Sequence, residues 1–176
     1  MGQVIRLSLP PTPYPDVSAK LDTAESIVLV AMRWWLRAFH LNEDPLPRLR
    51  QGLLRAGVRD AALSIDAFMS VVRQSARRPV ALHSPRCGRV GGDEKCLLHA
   101  ASLAQAGESE LAERVLRTAL LSAQGAEFAL GPLEGLGRLL TEARLRLRRR
   151  LPPGQEATGV PAIESWSPDL FSDTVH

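Results

Sequence analysis

The sequence predicts an all-α fold: a compact bundle of about five to six helices with extended N- and C-terminal arms. Three observations predict it. Apolar residues recur at helical spacing through the middle of the chain, as in Ala24, Ile27, Ala31, Trp34 and Ala38. Each such stretch is bounded by a capping residue, a glycine or a proline. No segment reads convincingly as a strand, since Val80-Ala81-Leu82 is too short.

Residues 1–21 carry Pro10, Pro11, Pro13 and Pro15, which deny backbone donors and favour an extended arm. The helical domain is expected over 22–150. Asp22-Thr23-Ala24-Glu25 fits a capping box, and the first helix should run to about His40. Pro45 and Pro47 open a short second helix that Gly57 ends. Ala62, Ile65, Met69 and Val72 mark a third, closed by Pro79. After an irregular stretch rich in Gly and Pro (79–92), Asp93 is expected to cap a fourth helix that stops at Gly107. Ser109 is expected to cap a fifth, with Leu111, Val115, Leu116 and Ala119 inward and Gly125 at its end. Pro132 is placed in the first turn of a sixth, whose stripe is Leu133, Leu136, Leu140, Ala143 and Leu147. Residues 151–176 combine four prolines with four acids and read as an acidic, flexible tail.

The 176 residues carry 22 basic and 19 acidic side chains, distributed unevenly. Residues 43–92 and 138–150 are each +5, whereas 93–137 and 151–176 are each −4. Alternating blocks of opposite sign favour intramolecular pairing or self-association. Arginine outnumbers lysine 20 to 2, a composition that suggests a GC-rich bacterial genome. Two cysteines are too few for a disulfide framework. The apolar run Ile27–Met32 is far shorter than the ~20 residues of a membrane span, and the first residues do not resemble a secretory signal. A cytoplasmic protein with no membrane partner is therefore expected.

Residues 97–120, with Ala100, Gly107, Ala112, Leu116 and Ala119 at the packing and turn positions, resemble one tetratricopeptide unit. That family stacks such units into a binding solenoid. Cys96 and Leu103 replace its usual aromatics and no second copy follows at a period of about 34, so a generic αα-hairpin is the reading adopted.

Three clusters carry candidate chemistry. His83, Cys87, Cys96 and His99 offer four candidate zinc ligands within 17 residues. The competing reading makes Cys96 a small buried hydrophobe, leaves the histidines exposed and needs no cofactor. Arg144, Arg146, Arg148, Arg149 and Arg150 would fan around the end of the sixth helix and offer phosphate contacts for nucleic acid. Alternatively they complement the helix dipole. Trp166, Leu170 and Phe171 set apolar anchors in the acidic tail, as in a docking peptide. Asp169-Leu170-Phe171 is similar to the end of the bacterial sliding-clamp binding peptide, without its leading glutamine. Of Trp34 and Trp35, one is expected in the core and the other against a neighbouring helix or a partner, with a pocket lined by the pair as the alternative. P-loop, Rossmann, nucleophile-elbow and zinc-protease spacings are all missing.

The expected function is therefore protein interaction or regulation without catalysis, through another protein or self-association. Nucleic-acid binding by 138–150 and a zinc-stabilised domain or enzyme around 83–99 are the alternatives.

Overall fold

Asp22 and Glu25 open the first helix, α1 (Thr23–His40), with a reciprocal capping box. The Glu25 N–H donates to Asp22 Oδ1 and the Asp22 N–H to Glu25 Oε2, both at 3.0 Å. The structure, a computed structural model, describes residues 11–154. Five further helices follow: α2 (Leu46–Leu54), α3 (Ala61–Ser75), α4 (Gly92–Gln105), α5 (Ser109–Ala119) and α6 (Ala123–Glu142). A single 3-10 turn, Ser18–Lys20, precedes them. Among the described residues there is no strand, and no helix is long and apolar enough to cross a membrane.

The helices form two trios, α1–α3 and α4–α6, joined chiefly where α3 packs on α6 and where α1 meets α4. One core runs through both. Met32, Ile65, Phe68, Leu97, Leu116, Leu133 and Leu140 are each at most 1% exposed. Burying each such side chain favours folding by roughly 1.5–3 kcal/mol.

Helices α1, α4 and α6 stop in the same way. The residue after the cap adopts positive φ: Asn42 (54°), Gly107 (80°) and Arg144 (59°), whereas after α2 the positive φ falls at Gly57 (74°), two residues past the Arg55 cap. After α6, the Arg144 N–H donates to Thr141 O and the Leu145 N–H to Leu140 O. This pair of bonds is the Schellman arrangement, which satisfies carbonyls the helix would leave unpaired. Glycine takes this conformation without penalty at Gly107, where α4 turns into α5 as the expected αα-hairpin. Arg144 takes it against the preference of a side-chain-bearing residue.

Several local expectations are corrected. Gly91, not Asp93, precedes α4, and Glu108, not Ser109, precedes α5. Gly125 does not end α5, which stops at Ala119. It lies in the first turn of α6, capped by the Ser122 hydroxyl. A Cβ at Gly125 would run into the Ser75 side chain, and one at Gly137 would lie 2.8 Å from Gln105 Cα. Both glycines are therefore close-approach sites, one toward α3 and one toward α4. Pro132 lies inside α6 rather than in its first turn, and Leu111 is 38% exposed. On α1 the core stripe is Ala24, Val28, Ala31, Met32 and Trp35, while Ile27 and Trp34 are half-buried beside it.

Residues 11–21 form no α-helix, contain the Ser18–Lys20 turn and lie against the helices. Tyr14 and Leu21 are buried. The Ser18 N–H donates to Gly88 O, and Asp16 O accepts from the Val90 N–H. The Leu151 N–H donates to Thr12 O, which pairs this segment with the chain leaving α6.

Candidate functional site

Glu94, in the first turn of α4, organises the irregular 79–92 segment. Its fully buried carboxylate accepts from Arg33 Nε at 2.7 Å and Nη2 at 2.8 Å. It also accepts from the backbone N–H groups of His83 and Gly91, each at 2.8 Å, and lies 3.0 Å from His83 Nδ1. Arg33 in turn donates to the carbonyls of Cys87 (2.7 Å) and Arg89 (2.5 Å). Burial alone would raise the Glu94 carboxyl, but Arg33 and the two backbone donors hold it below the usual carboxylate range. Arg78 forms a second, bidentate pair with Asp93, whose Oδ2 also accepts from the Ala81 N–H. These contacts fix Ser84, Pro85 and Arg86 beside α1.

The zinc-ligand cluster does not assemble. Among the described residues no three His, Cys, Asp or Glu side chains gather as a metal site would require. His83 is turned to Glu94, and Cys87 engages Arg33 through its carbonyl. Cys96 is half-buried, and burial with Asp93 nearby pushes its thiol up, against thiolate chemistry. His99 is buried edge-on to the Tyr14 ring at 5.9 Å, with its Nδ1 unpartnered.

The five arginines at 144–150 are not on a helix. The stop after Glu142 turns the chain into an extended segment in which Leu145 and Leu147 face inward and Arg144, Arg146 and Arg148 outward. Gln105 locks this course, donating to Leu145 O at 2.8 Å and accepting from the Leu147 N–H at 2.7 Å. Arg149 pairs with Glu108. Arg150 is buried and donates to both oxygens of Glu25, at 2.5 and 2.7 Å. Trp166, Leu170 and Phe171 lie outside the described residues.

The two tryptophans separate as their adjacency on a helix requires. Trp35 is in the core, its indole N–H donating to Asp66 Oδ1 at 2.6 Å. Trp34 faces a groove between α1 and α2 of about 470 Å³. Ile27, Val30 and Trp34 form one wall and Leu49 and Leu53 the other. Gly52 leaves the α2 side open, since a Cβ there would touch nothing within 4 Å. Val30 is 40% exposed, an apolar side chain in water.

Beyond Trp34 the groove meets a second hollow of about 270 Å³ whose lining includes Arg37, Arg48, Ser84, Pro85 and Arg86. The Arg48 guanidinium lies 3.5 Å above the Trp34 ring and that of Arg37 lies 5.7 Å from it. Arg55 lines the groove as well. Among the described residues no carboxylate, histidine or cysteine lines either hollow. Arg37, Arg48, Arg55 and Arg86 form no ion pair among the described residues. Of the groove residues, the sequence places Ile27, Ala31 and Trp34 on the apolar stripe of α1 and offers Trp34 for a pocket or a partner, whereas Val30, Leu49 and Leu53 are not singled out from it.

No family model matches this chain, and the searches of the curated proteins and of the solved structures return no significant match.

Proposed function

We propose that this chain is a protein-interaction module whose α1–α2 groove receives a peptide segment carrying aromatic or aliphatic anchors and carboxylates. One observation carries the reading: an apolar trough opens into a cluster of arginines that, among the described residues, form no ion pair, and no described carboxylate lines either part. Apolar side chains entering the trough gain roughly 25 cal/mol per Å² removed from water. Arginine forks beyond Trp34 then favour carboxylates over neutral or basic residues. Among the described residues the lining offers no carboxylate, histidine or cysteine as general acid or base, so it suits binding rather than proton transfer.

A peptide array tests this reading. Peptides combining Trp, Leu or Phe with Asp or Glu should bind the full chain. Gly52→Leu fills the trough without pressing on the fold and should weaken that binding at least tenfold. Arg48→Glu should remove the preference for acidic peptides. Equal binding of the same peptides by Gly52→Leu would contradict the reading.

A specific observation favours a second reading, nucleic-acid binding. Arg144, Arg146 and Arg148 are exposed at alternate positions and engage no carboxylate among the described residues. Successive outward residues of an extended chain stand about 7 Å apart. Three phosphate contacts would cost about fortyfold in duplex affinity between 50 and 200 mM salt. Filter retention that is absent or insensitive to salt removes this reading.

A further inference from the structure

The geometry points to residues 155–176 of the same chain as the segment that occupies the α1–α2 groove. This inference rests on the groove reading above and adds its occupant and its regulation.

The first ground is where the described chain ends. Arg150 is fixed to Glu25 and the Leu151 N–H to Thr12 O, at the start of α1. Ser26 and Ile27, the next residues along α1, line the groove, and Ile27 lies about 200° round the helix from Glu25, so the departing chain passes around α1 to reach it. Gly154 follows Arg150 by four residues, at most about 14 Å of chain. Residues 155–162 carry no large aromatic side chain and can span up to about 27 Å before Ile163. Ile27 and Trp34 are separated along α1 by only about 10 Å. The anchors Ile163, Trp166, Leu170 and Phe171 therefore reach the trough, and the residues beyond reach its arginine end.

Charge supplies the second ground. Residues 155–176 hold Glu156, Glu164, Asp169 and Asp173 and no Lys or Arg. Among the described residues the two hollows are lined by four arginines and no carboxylate. Apolar anchors interleaved with acids on the segment thus match an apolar trough that ends in cations.

Tethering makes occupancy an intramolecular event, with an effective concentration of about 1 mM. A segment that binds with an intrinsic Kd of about 100 μM would then fill the groove roughly nine-tenths of the time. A competing segment would bind about tenfold more weakly. The groove is in this way self-masked, and a partner must displace the chain's own acidic segment.

Competition by a synthetic peptide of residues 155–176 tests the inference, with binding read by calorimetry. The full chain is compared with a full-length Trp166→Ala, Leu170→Ala, Phe171→Ala variant. The peptide should bind the variant about tenfold more tightly than the wild type, and Gly52→Leu added to the variant should abolish the binding. Equal affinity for wild type and variant overturns self-masking, while loss on Gly52→Leu still supports the groove. Peptide binding that Gly52→Leu leaves unchanged overturns the groove reading as well. Absence of binding to either protein overturns the inference. So does a wild-type affinity that weakens as protein concentration rises twentyfold, because masking would then come from a second copy.

Discussion

Glu25 and Glu94 hold equivalent places in the fold. Each is the third residue of its helix, accepts the N–H of the residue before that helix, and receives a buried arginine through two hydrogen bonds. The glutamate completes the helix start and at the same time ties it to a distant segment. Glu94 fastens the 79–92 segment to α1 through Arg33, and Glu25 fastens the chain after α6 through Arg150. The second tie fixes where the chain departs, at the start of α1, and the first holds the segment that carries Ser84, Pro85 and Arg86.

The Arg33–Glu94 pair should be sensitive to loss of either member. Glu94→Gln leaves the Arg33 charge buried without compensation, and Arg33→Met leaves a buried carboxylate. Each should destabilise the protein by about 3–5 kcal/mol in urea unfolding. A change below about 1 kcal/mol would contradict the buried geometry.

Acid should weaken the fold in two stages. Burial holds the His99 imidazole below its usual value of 6.5, and Arg149 adds to this while Glu108 opposes it. The unfolded chain therefore takes up the proton first, and stability falls as pH drops below about 6.5. Glu94 is held below its unfolded value of 4.5, so its contribution is present above that pH and is lost as pH falls further. His99→Phe keeps the edge-on contact with Tyr14 and removes the titration. Thermal melts from pH 7.5 to 5 should show a smaller fall in Tm for this variant than for the wild type.

Gly137→Ala should cost about 1–3 kcal/mol, because the added methyl meets the α4 backbone at Gln105 rather than a movable side chain. Gly131→Ala, on the same helix, meets nothing within 4 Å and should stabilise slightly. Chemical denaturation of the two variants measures the contrast.

Arg144→Gly distinguishes the observed helix stop from a helix that continues through the arginines. At φ 59° glycine relieves a cost of about 1–2 kcal/mol, partly offset by its greater freedom in the unfolded chain. The variant should be neutral to about 1 kcal/mol more stable. A loss of about 1 kcal/mol, as for glycine inside a helix, would indicate that α6 runs on.

The fold class was legible because its signals are local. The Asp22–Glu25 box, the stop at Gly107 and the helical stripes each occupy a few adjacent residues. What was missed depends on partners far along the chain. Arg33 meets Glu94 at a separation of 61 residues and Arg150 meets Glu25 at 125. Gln105 reaches Leu147 across 42. Leu147 illustrates the ambiguity: it suits the helical stripe of α6 and equally the alternation Leu145, Leu147, and the Schellman stop with Gln105 selects the second. The signal for Arg33 was its register on α1, one turn after the buried Leu29. On α1 the apolar residues surround much of the helix, so the core stripe and the groove stripe were not separable before α2 was in place.

Methyl and indole NMR mapping of the variant Trp166→Ala, Leu170→Ala, Phe171→Ala, titrated with the peptide of residues 155–176, tests the α1–α2 groove most directly. The account predicts that the signals of Ile27, Val30, Trp34, Leu49 and Leu53 shift together and saturate, while those of Leu63, Leu111 and Leu130 stay in place. Saturable shifts centred on any other surface, or none at these five residues, would contradict it.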